Sequence, residues 1–102
     1  MKSDNISRVE IDSSGRLCVW PAATDFAYIY RAAMEVHWDE QGQFLYSPPP
    51  RAWSYTDWFA QIVAATKDEY GCDLRITSQT TWVNIDPALK ELICALGTHP
   101  RA

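Results

Sequence analysis

Glu35, His37 and Asp39 are the residues whose spacing most resembles a reaction centre. On a β-strand, alternate side chains project from one face about 7 Å apart, so the imidazole would lie between two carboxylates. Such a group could act as a general acid or base, or bind a divalent metal. The same spacing also suits the hydrated face of a strand whose other face is core. No H-x-H or H-E-x-x-H motif occurs to complete a metal site, so we expect no metal or other cofactor.

The three cysteines do not resemble catalytic nucleophiles. Cys18, Cys72 and Cys94 are far apart, form no C-x-x-C pair and have no neighbouring base in sequence. Their odd number fits reduced thiols in a cytoplasm better than a disulfide framework. The sequence thus favours a protein that is not an enzyme.

The aromatic residues are the stronger candidates for a functional surface. The chain has five Trp and five Tyr. Trp58 lies off the apolar stripe of a predicted helix and Trp53 follows a proline run, so both indoles should reach the surface or a cavity. Tryptophan is enriched in interface hot spots, and aromatic side chains line many ligand pockets. The candidate ligand or interface residues are Trp53, Trp58, Trp38, Trp82, Tyr28 and Tyr30.

In the first half of the chain, the pattern predicts β-hairpins. Residues 7–11 and 16–20 alternate apolar and polar side chains around a turn that contains Gly15. Residues 26–39 fit an alternating strand better than a helix, and a turn at residues 39–42 leads to another strand at 43–46. The three prolines at 48–50 then predict a stiff connector.

The second half of the chain is predicted to contain two helices separated by a short strand. Ser54 is placed to cap a helix that reaches Tyr70, with Asp57 at its third position and Gly71 after its end. Residues 74–76 read as a strand. Asp86 caps a second helix that ends at Gly97, with an apolar stripe of Leu89, Leu92, Ile93 and Leu96.

The predicted fold is a single α+β domain, residues 1–102, in which an antiparallel β-meander of four to five strands packs against two helices. Lys and Arg number 9 against 13 Asp and Glu, a net charge of −4, and the cations are scattered. This composition argues against nucleic-acid binding. No apolar run approaches a membrane span and no signal peptide is evident, so we expect a cytoplasmic protein.

Two segments resemble a family of small bacterial proteins. The segments at residues 28–38 and 47–59, YIYRAAMEVHW and SPPPRAWSYTDWF, resemble the small orphan proteins encoded on integron gene cassettes, across residues 26–85. The resemblance implies a short cytoplasmic protein from a bacterial mobile genetic element, often oligomeric. It implies no catalytic residue.

Three functions fit these residues. The preferred one is a non-catalytic binding module that self-associates through an aromatic surface, with a dimer expected and a further protein partner possible. The second is a small-ligand-binding protein or modest enzyme, whose pocket for an apolar or aromatic ligand lies between the sheet and the first helix, lined by Tyr28, Tyr30, Trp38 and Trp58. The third is an acidic, immunity-protein or antitoxin-like inhibitor of a basic partner, using Asp39, Glu40, Asp57 and Asp68.

Overall fold

The computed structural model describes residues 2–31 and 35–97. In chain order the elements are β1 (Lys2–Ile11), β2 (Leu17–Pro21), β3 (His37–Asp39), β4 (Phe44–Tyr46), α1 (Tyr55–Tyr70), β5 (Cys72–Val83) and α2 (Pro87–Gly97). The five strands form one sheet in the order β3-β4-β2-β1-β5. The predicted α+β fold of strands with two helices is therefore confirmed.

The sheet is mixed because α1 returns the chain to its far side. The pairs β1–β2, β2–β4 and β3–β4 are antiparallel, whereas β5 lies parallel to β1. A parallel neighbour needs a long crossover, and α1 together with the proline connector provides it. The first four strands are therefore antiparallel as predicted but do not form a simple meander, because β2 pairs with β4 and leaves β3 at the edge, while β5 joins on the opposite edge.

An irregularity in β1 turns two apolar side chains toward the same core. Ile6 lies opposite Pro21 and Arg8 opposite Trp20, so Ser7 is an extra residue in the ladder. A bulge of this kind reverses the alternation of faces. Ile6 and Val9, three positions apart, are accordingly both buried, at 1% and 0% exposure.

The partner strand β5 is much longer than the predicted strand at residues 74–76. Ile76 pairs with Ile6 and Thr81 with Arg8, so residues 77–80 form an insertion in the ladder. The Thr80 hydroxyl donates to the Ile6 carbonyl at 2.6 Å and accepts from the Thr77 N–H at 3.0 Å. This side chain replaces backbone bonds that the insertion removes.

Helix α1 has the predicted boundaries because both of its ends are specified locally. The Ser54 side chain accepts from the Asp57 N–H, and the Asp57 carboxylate accepts from the Ser54 N–H, which completes a capping box. Gly71 ends the helix in the left-handed conformation, with φ 61°. Between these caps Phe59 and Ile62 are buried against the sheet side chains of the core.

The predicted strand at residues 26–39 is wrong for most of its length. Only His37–Asp39 is a strand, and Ile29–Arg31 forms a 3₁₀ turn. The Asp25 carboxylate accepts from the Ala27 N–H, and the Ile29 N–H then donates to the Phe26 carbonyl. These local bonds outweigh the alternating pattern, so Phe26 and Ile29 are buried at a spacing of three. Arg31-Ala32-Ala33, in the middle of this segment, lacks strand-forming residues and so predicts a bulge or bend, but that site lies largely outside the described residues.

Helix α2 begins after Asp86, whose carboxylate accepts from the Leu89 N–H at 2.8 Å, as predicted. Its apolar stripe is only partly buried. Ile93 is fully buried and Leu89 packs on the core, whereas Leu92 and Leu96 are 58% and 51% exposed. The helix therefore packs on the core through Leu89 and Ile93, which form one side of the predicted stripe.

Side chains of β2, β3 and β4 form an aromatic row on the sheet. The Trp20 and Phe44 rings lie 4.5 Å apart, Phe44 and Tyr46 5.8 Å, and Tyr46 and His37 5.2 Å. Arg8 lies over Trp20 and ion-pairs with Glu10. These rings shield the sheet backbone where the core residues face the other way.

Candidate functional site

A pocket of about 390 Å³ lies where the proline connector meets the first turns of α1. This volume is within the range of small-molecule sites. Its lining comes from three segments: Glu35, the connector, and one face of α1. The lining residues are Glu35, Pro48, Pro49, Arg51, Ala52, Trp53, Trp58 and Gln61.

Two tryptophans form the aromatic wall of the pocket. The ring centroids of Trp53 and Trp58 are 4.7 Å apart, with their planes tilted by 49°. Trp58 is half-buried and packs against the core, while Trp53 is 44% exposed. Trp58 thus fixes the position of the pair, and Trp53 offers indole surface to a ligand.

The connector that supports Trp53 is attached to the sheet at both ends. The Ser47 N–H donates to the Leu17 carbonyl at 3.0 Å, and Ser47 is fully buried. The Tyr55 hydroxyl donates to the Gly15 carbonyl at 2.9 Å. Between these attachments the prolines have fixed φ angles, so the pocket wall is formed before a ligand arrives.

Three polar side chains of the pocket have unused hydrogen-bonding capacity. Within residues 2–31 and 35–97, the side chains of Glu35, Arg51 and Gln61 make no hydrogen bond or ion pair. Glu35 and Arg51 are exposed, and Gln61 is half-buried one turn after Trp58. The pocket therefore combines an aromatic wall with an anionic, a cationic and an amide group.

The predicted ligand or interface residues are divided among separate places. Trp53 and Trp58 line the pocket together. Tyr28 and Tyr30 lie by the 3₁₀ turn, 57% and 59% exposed, with ring centroids 6.4 Å apart. Of the four aromatics expected to line one pocket, Trp58 is the one that lines this pocket.

The other two predicted tryptophans lie away from the pocket lining. Trp38 packs edge to face on Phe26 at 6.0 Å, and its buried indole N–H has no acceptor among the described residues. Trp82 is half-buried on β5, with the Lys90 ammonium 5.6 Å from its ring centre. Both indoles pack against the core cluster.

The acid–base candidates Glu35, His37 and Asp39 have different surroundings. Glu35 lines the pocket, His37 lies against the Tyr46 ring, and the Asp39 carboxylate accepts from the Gln41 N–H at 3.2 Å. Among the described residues, no group of three His, Cys, Asp or Glu side chains is positioned to hold a metal ion.

The acidic residues proposed for a basic partner differ in availability. Asp57 is occupied in the capping box of α1, so its carboxylate already accepts a backbone hydrogen bond. Glu40 and Asp68 are exposed and Asp39 is half-buried. Asp57 and Asp68 lie on α1, whereas Asp39 ends β3 and Glu40 follows it.

None of the cysteines forms a disulfide, and two of them are buried. Burial, assisted by the nearby Asp12 carboxylate, raises the pKa of Cys18 to about 12. Burial also raises the pKa of Cys72. Both thiols stay neutral at physiological pH, which makes them poor nucleophiles.

Sequence reasoning did not identify most of the pocket. Arg51 and Gln61 were not singled out, although Gln61 follows Trp58 by three positions and so lies on the same side of a helix. Pro48 and Pro49 were recognised as a stiff connector but not as a wall. Their role depends on where α1 returns against the sheet, which no local pattern encodes.

Within the part of the chain that the structure describes, no helix is both long and apolar enough to span a bilayer.

Comparison with known proteins identifies relatives. A family model for the integron cassette protein Hfx_Cass5 matches residues 4–80. A solved structure of the integron cassette protein Hfx_Cass5, from the mobile metagenome of North West Arm Sewage Outfall, is 42% identical to this chain. That match covers 94% of this chain and 96% of the other, with a TM-score of 0.48. No curated protein matches the chain.

Proposed function

The chain belongs to the Hfx_Cass5 family of integron cassette proteins, and we propose that it is a non-catalytic binding protein whose pocket takes a small aromatic ligand. The membership confirms the resemblance found in the sequence. It names no activity, so the proposal rests on the pocket itself.

One observation supports this proposal above the others: the Trp53–Trp58 pair lines a pocket of about 390 Å³ whose polar side chains make no hydrogen bond or ion pair with another described residue. Aromatic rings that only fill a core are enclosed on all sides, but Trp53 is 44% exposed beside an open volume. The wall is also preformed by the proline connector, which reduces the ordering cost of binding. We place the protein in the cytoplasm, where the buried thiols of Cys18 and Cys72 would stay reduced.

Thermal unfolding in the presence of a panel of small aromatic compounds tests this function. A ligand at about 100 times its Kd adds about 2.7 kcal/mol to the free energy of unfolding and raises the Tm. We expect at least one compound to do so with the natural chain, and Trp53→Ala to abolish the increase. Leu92→Ala, which truncates another exposed apolar side chain outside the pocket lining, is the matched control and should keep it. An increase that survives Trp53→Ala would overturn the proposed site.

Self-association is a second candidate, favoured by the exposed tyrosines. Tyr28 and Tyr30 are more than half exposed and adjacent in space, which is unusual for two large rings on a protein surface. Tyrosine is enriched in interfaces because its ring is large and its hydroxyl stays hydrated. We infer that this surface pairs with a second copy of the chain.

Sedimentation equilibrium at micromolar concentration tests self-association. The natural chain should sediment as a dimer, and replacing Tyr28 and Tyr30 by Ser should give a monomer. The matched control replaces the exposed leucines of α2, Leu92 and Leu96, by Ser and should leave the dimer intact. A monomeric natural chain, or a dimer lost only with the leucine changes, would contradict a tyrosine interface.

A further inference from the structure

We propose that the pocket ligand is an aromatic zwitterion of the amino-acid type, with its ring on the tryptophan pair, its ammonium at Glu35 and its carboxylate at Arg51. This inference rests on the proposed ligand-binding function and specifies the class of ligand.

Two side chains of opposite charge in the pocket favour a ligand that carries both charges. Glu35 and Arg51 both line the pocket, yet they pair neither with each other nor with another described side chain. A carboxylate is an acceptor that suits an ammonium, and a guanidinium fork suits a carboxylate. A ligand with both groups satisfies both side chains. A simple cation would meet Arg51 unfavourably, and a simple anion would meet Glu35 unfavourably.

The aromatic wall favours a flat ring in the ligand. The Trp53 and Trp58 planes are tilted by 49°, so a third ring can lie on the face of one and meet the edge of the other. Aromatic rings prefer offset or edge-to-face contacts of this kind. The other apolar residues of the lining are Pro48, Pro49 and Ala52, whose side chains are short. A flat ring fits such a space better than a branched aliphatic group.

The side-chain amide of Gln61 favours a ligand with polar groups. Gln61 is half-buried on α1, three residues after Trp58, and its side chain has no hydrogen-bond partner among the described residues. An amide both donates and accepts, so it can bond to either charged group of a zwitterion. A purely hydrocarbon ligand would leave this amide, Glu35 and Arg51 without partners.

Titration calorimetry with four compounds that share one skeleton tests the inference. L-phenylalanine has both charges, 2-phenylethylamine only the cation, 3-phenylpropanoate only the anion, and 2-phenylethanol neither. We expect phenylalanine to bind about tenfold or more tightly than each of the others, because each removed charge loses a charge-assisted hydrogen bond.

Charge-removing variants identify which side chain recognises which group. Glu35→Gln should weaken phenylalanine and 2-phenylethylamine but not 3-phenylpropanoate. Arg51→Gln should weaken phenylalanine and 3-phenylpropanoate but not 2-phenylethylamine. The matched controls are Glu40→Gln and Lys67→Gln, which remove the same charges from exposed positions outside the pocket lining and should change nothing.

The outcomes separate this inference from the proposed function. If a singly charged compound or 2-phenylethanol binds as tightly as phenylalanine, and Trp53→Ala abolishes that binding, the zwitterion is wrong and the aromatic pocket stands. If phenylalanine binds best but Glu35→Gln and Arg51→Gln have no effect, the assignment of its charged groups is wrong. If none of the four binds, the zwitterion is again wrong, and the proposed function then depends on its own panel of compounds.

Discussion

Asp4 joins the start of the sheet to the segment that follows β2. Its carboxylate accepts from the backbone N–H groups of Asn5, Ala23 and Thr24 at 2.9, 3.0 and 2.8 Å. Burial by itself raises the pKa of this carboxyl, but the hydrogen bonds outweigh burial and hold the pKa below its ordinary value. The ionised form of Asp4 therefore stabilises the folded chain.

Replacing Asp4 by Asn should lower the free energy of unfolding at pH 7 by about 1–3 kcal/mol, because hydrogen bonds to a charged acceptor are lost. A pKa that is lower in the folded state means that this contribution is present above the unfolded pKa and disappears as the pH falls through the folded value. Urea unfolding of both proteins from pH 7 downward checks this.

The stability curves of the natural chain and Asp4→Asn should converge as the pH falls below about 4. Asp68→Asn is the matched control, because it removes the same charge from an exposed position on α1. A gap between the natural chain and Asp4→Asn that stays constant into acid would show that the charge of Asp4 does not stabilise the fold.

Residue type together with local sequence position was enough to select Trp53 and Trp58 but not most of their neighbours in the pocket. The tryptophans stand out because an indole beside a proline run, or off the stripe of a helix, cannot easily be buried. Glu35 was noticed for a different reason, as part of an acid–base group. Its place in the pocket depends on how the segment before β3 meets the connector, a contact between distant parts of the chain.

Among the elements, those with local boundary signals were predicted well. The capping box and the left-handed Gly71 define α1 within a few residues of sequence. Strand β5 was predicted too short because residues 77–81 are mostly hydroxyl and amide side chains without an apolar alternation. Its pairing with β1, and the Thr80 hydroxyl that bridges the insertion, depend on contacts more than seventy residues apart.

Helix α2 allows a direct test of which side of its stripe packs on the core. We expect Ile93→Ala to lower the free energy of unfolding by about 2–5 kcal/mol, because Ile93 is fully buried and its truncation leaves a cavity. Leu92→Ala, the adjacent residue at 58% exposure, should change it by about 0.5 kcal/mol or less. Denaturant unfolding of both variants measures this. Equal losses would contradict the orientation of α2.

At the scale of the whole molecule, the residues that form the core and the residues that line the pocket are largely different. The core is formed by side chains of the sheet together with Phe59, Ile62 and Ile93 of the helices. The pocket lies beside that core, where the connector crosses to α1, and it takes only Trp58 from the residues that pack on the core. Substitutions in the lining other than at Trp58 should therefore leave the core unchanged.

The proposed function requires that a ligand contacts the Trp53–Trp58 pair. Two-dimensional ¹H–¹⁵N NMR resolves the indole N–H signal of each of the five tryptophans, and Trp→Phe variants assign them. During titration with L-phenylalanine, the signals of Trp53 and Trp58 should shift progressively while those of Trp20 and Trp82 stay in place. Unchanged Trp53 and Trp58 signals, or shifts confined to the other tryptophans, would contradict the binding of an aromatic zwitterion at this pair.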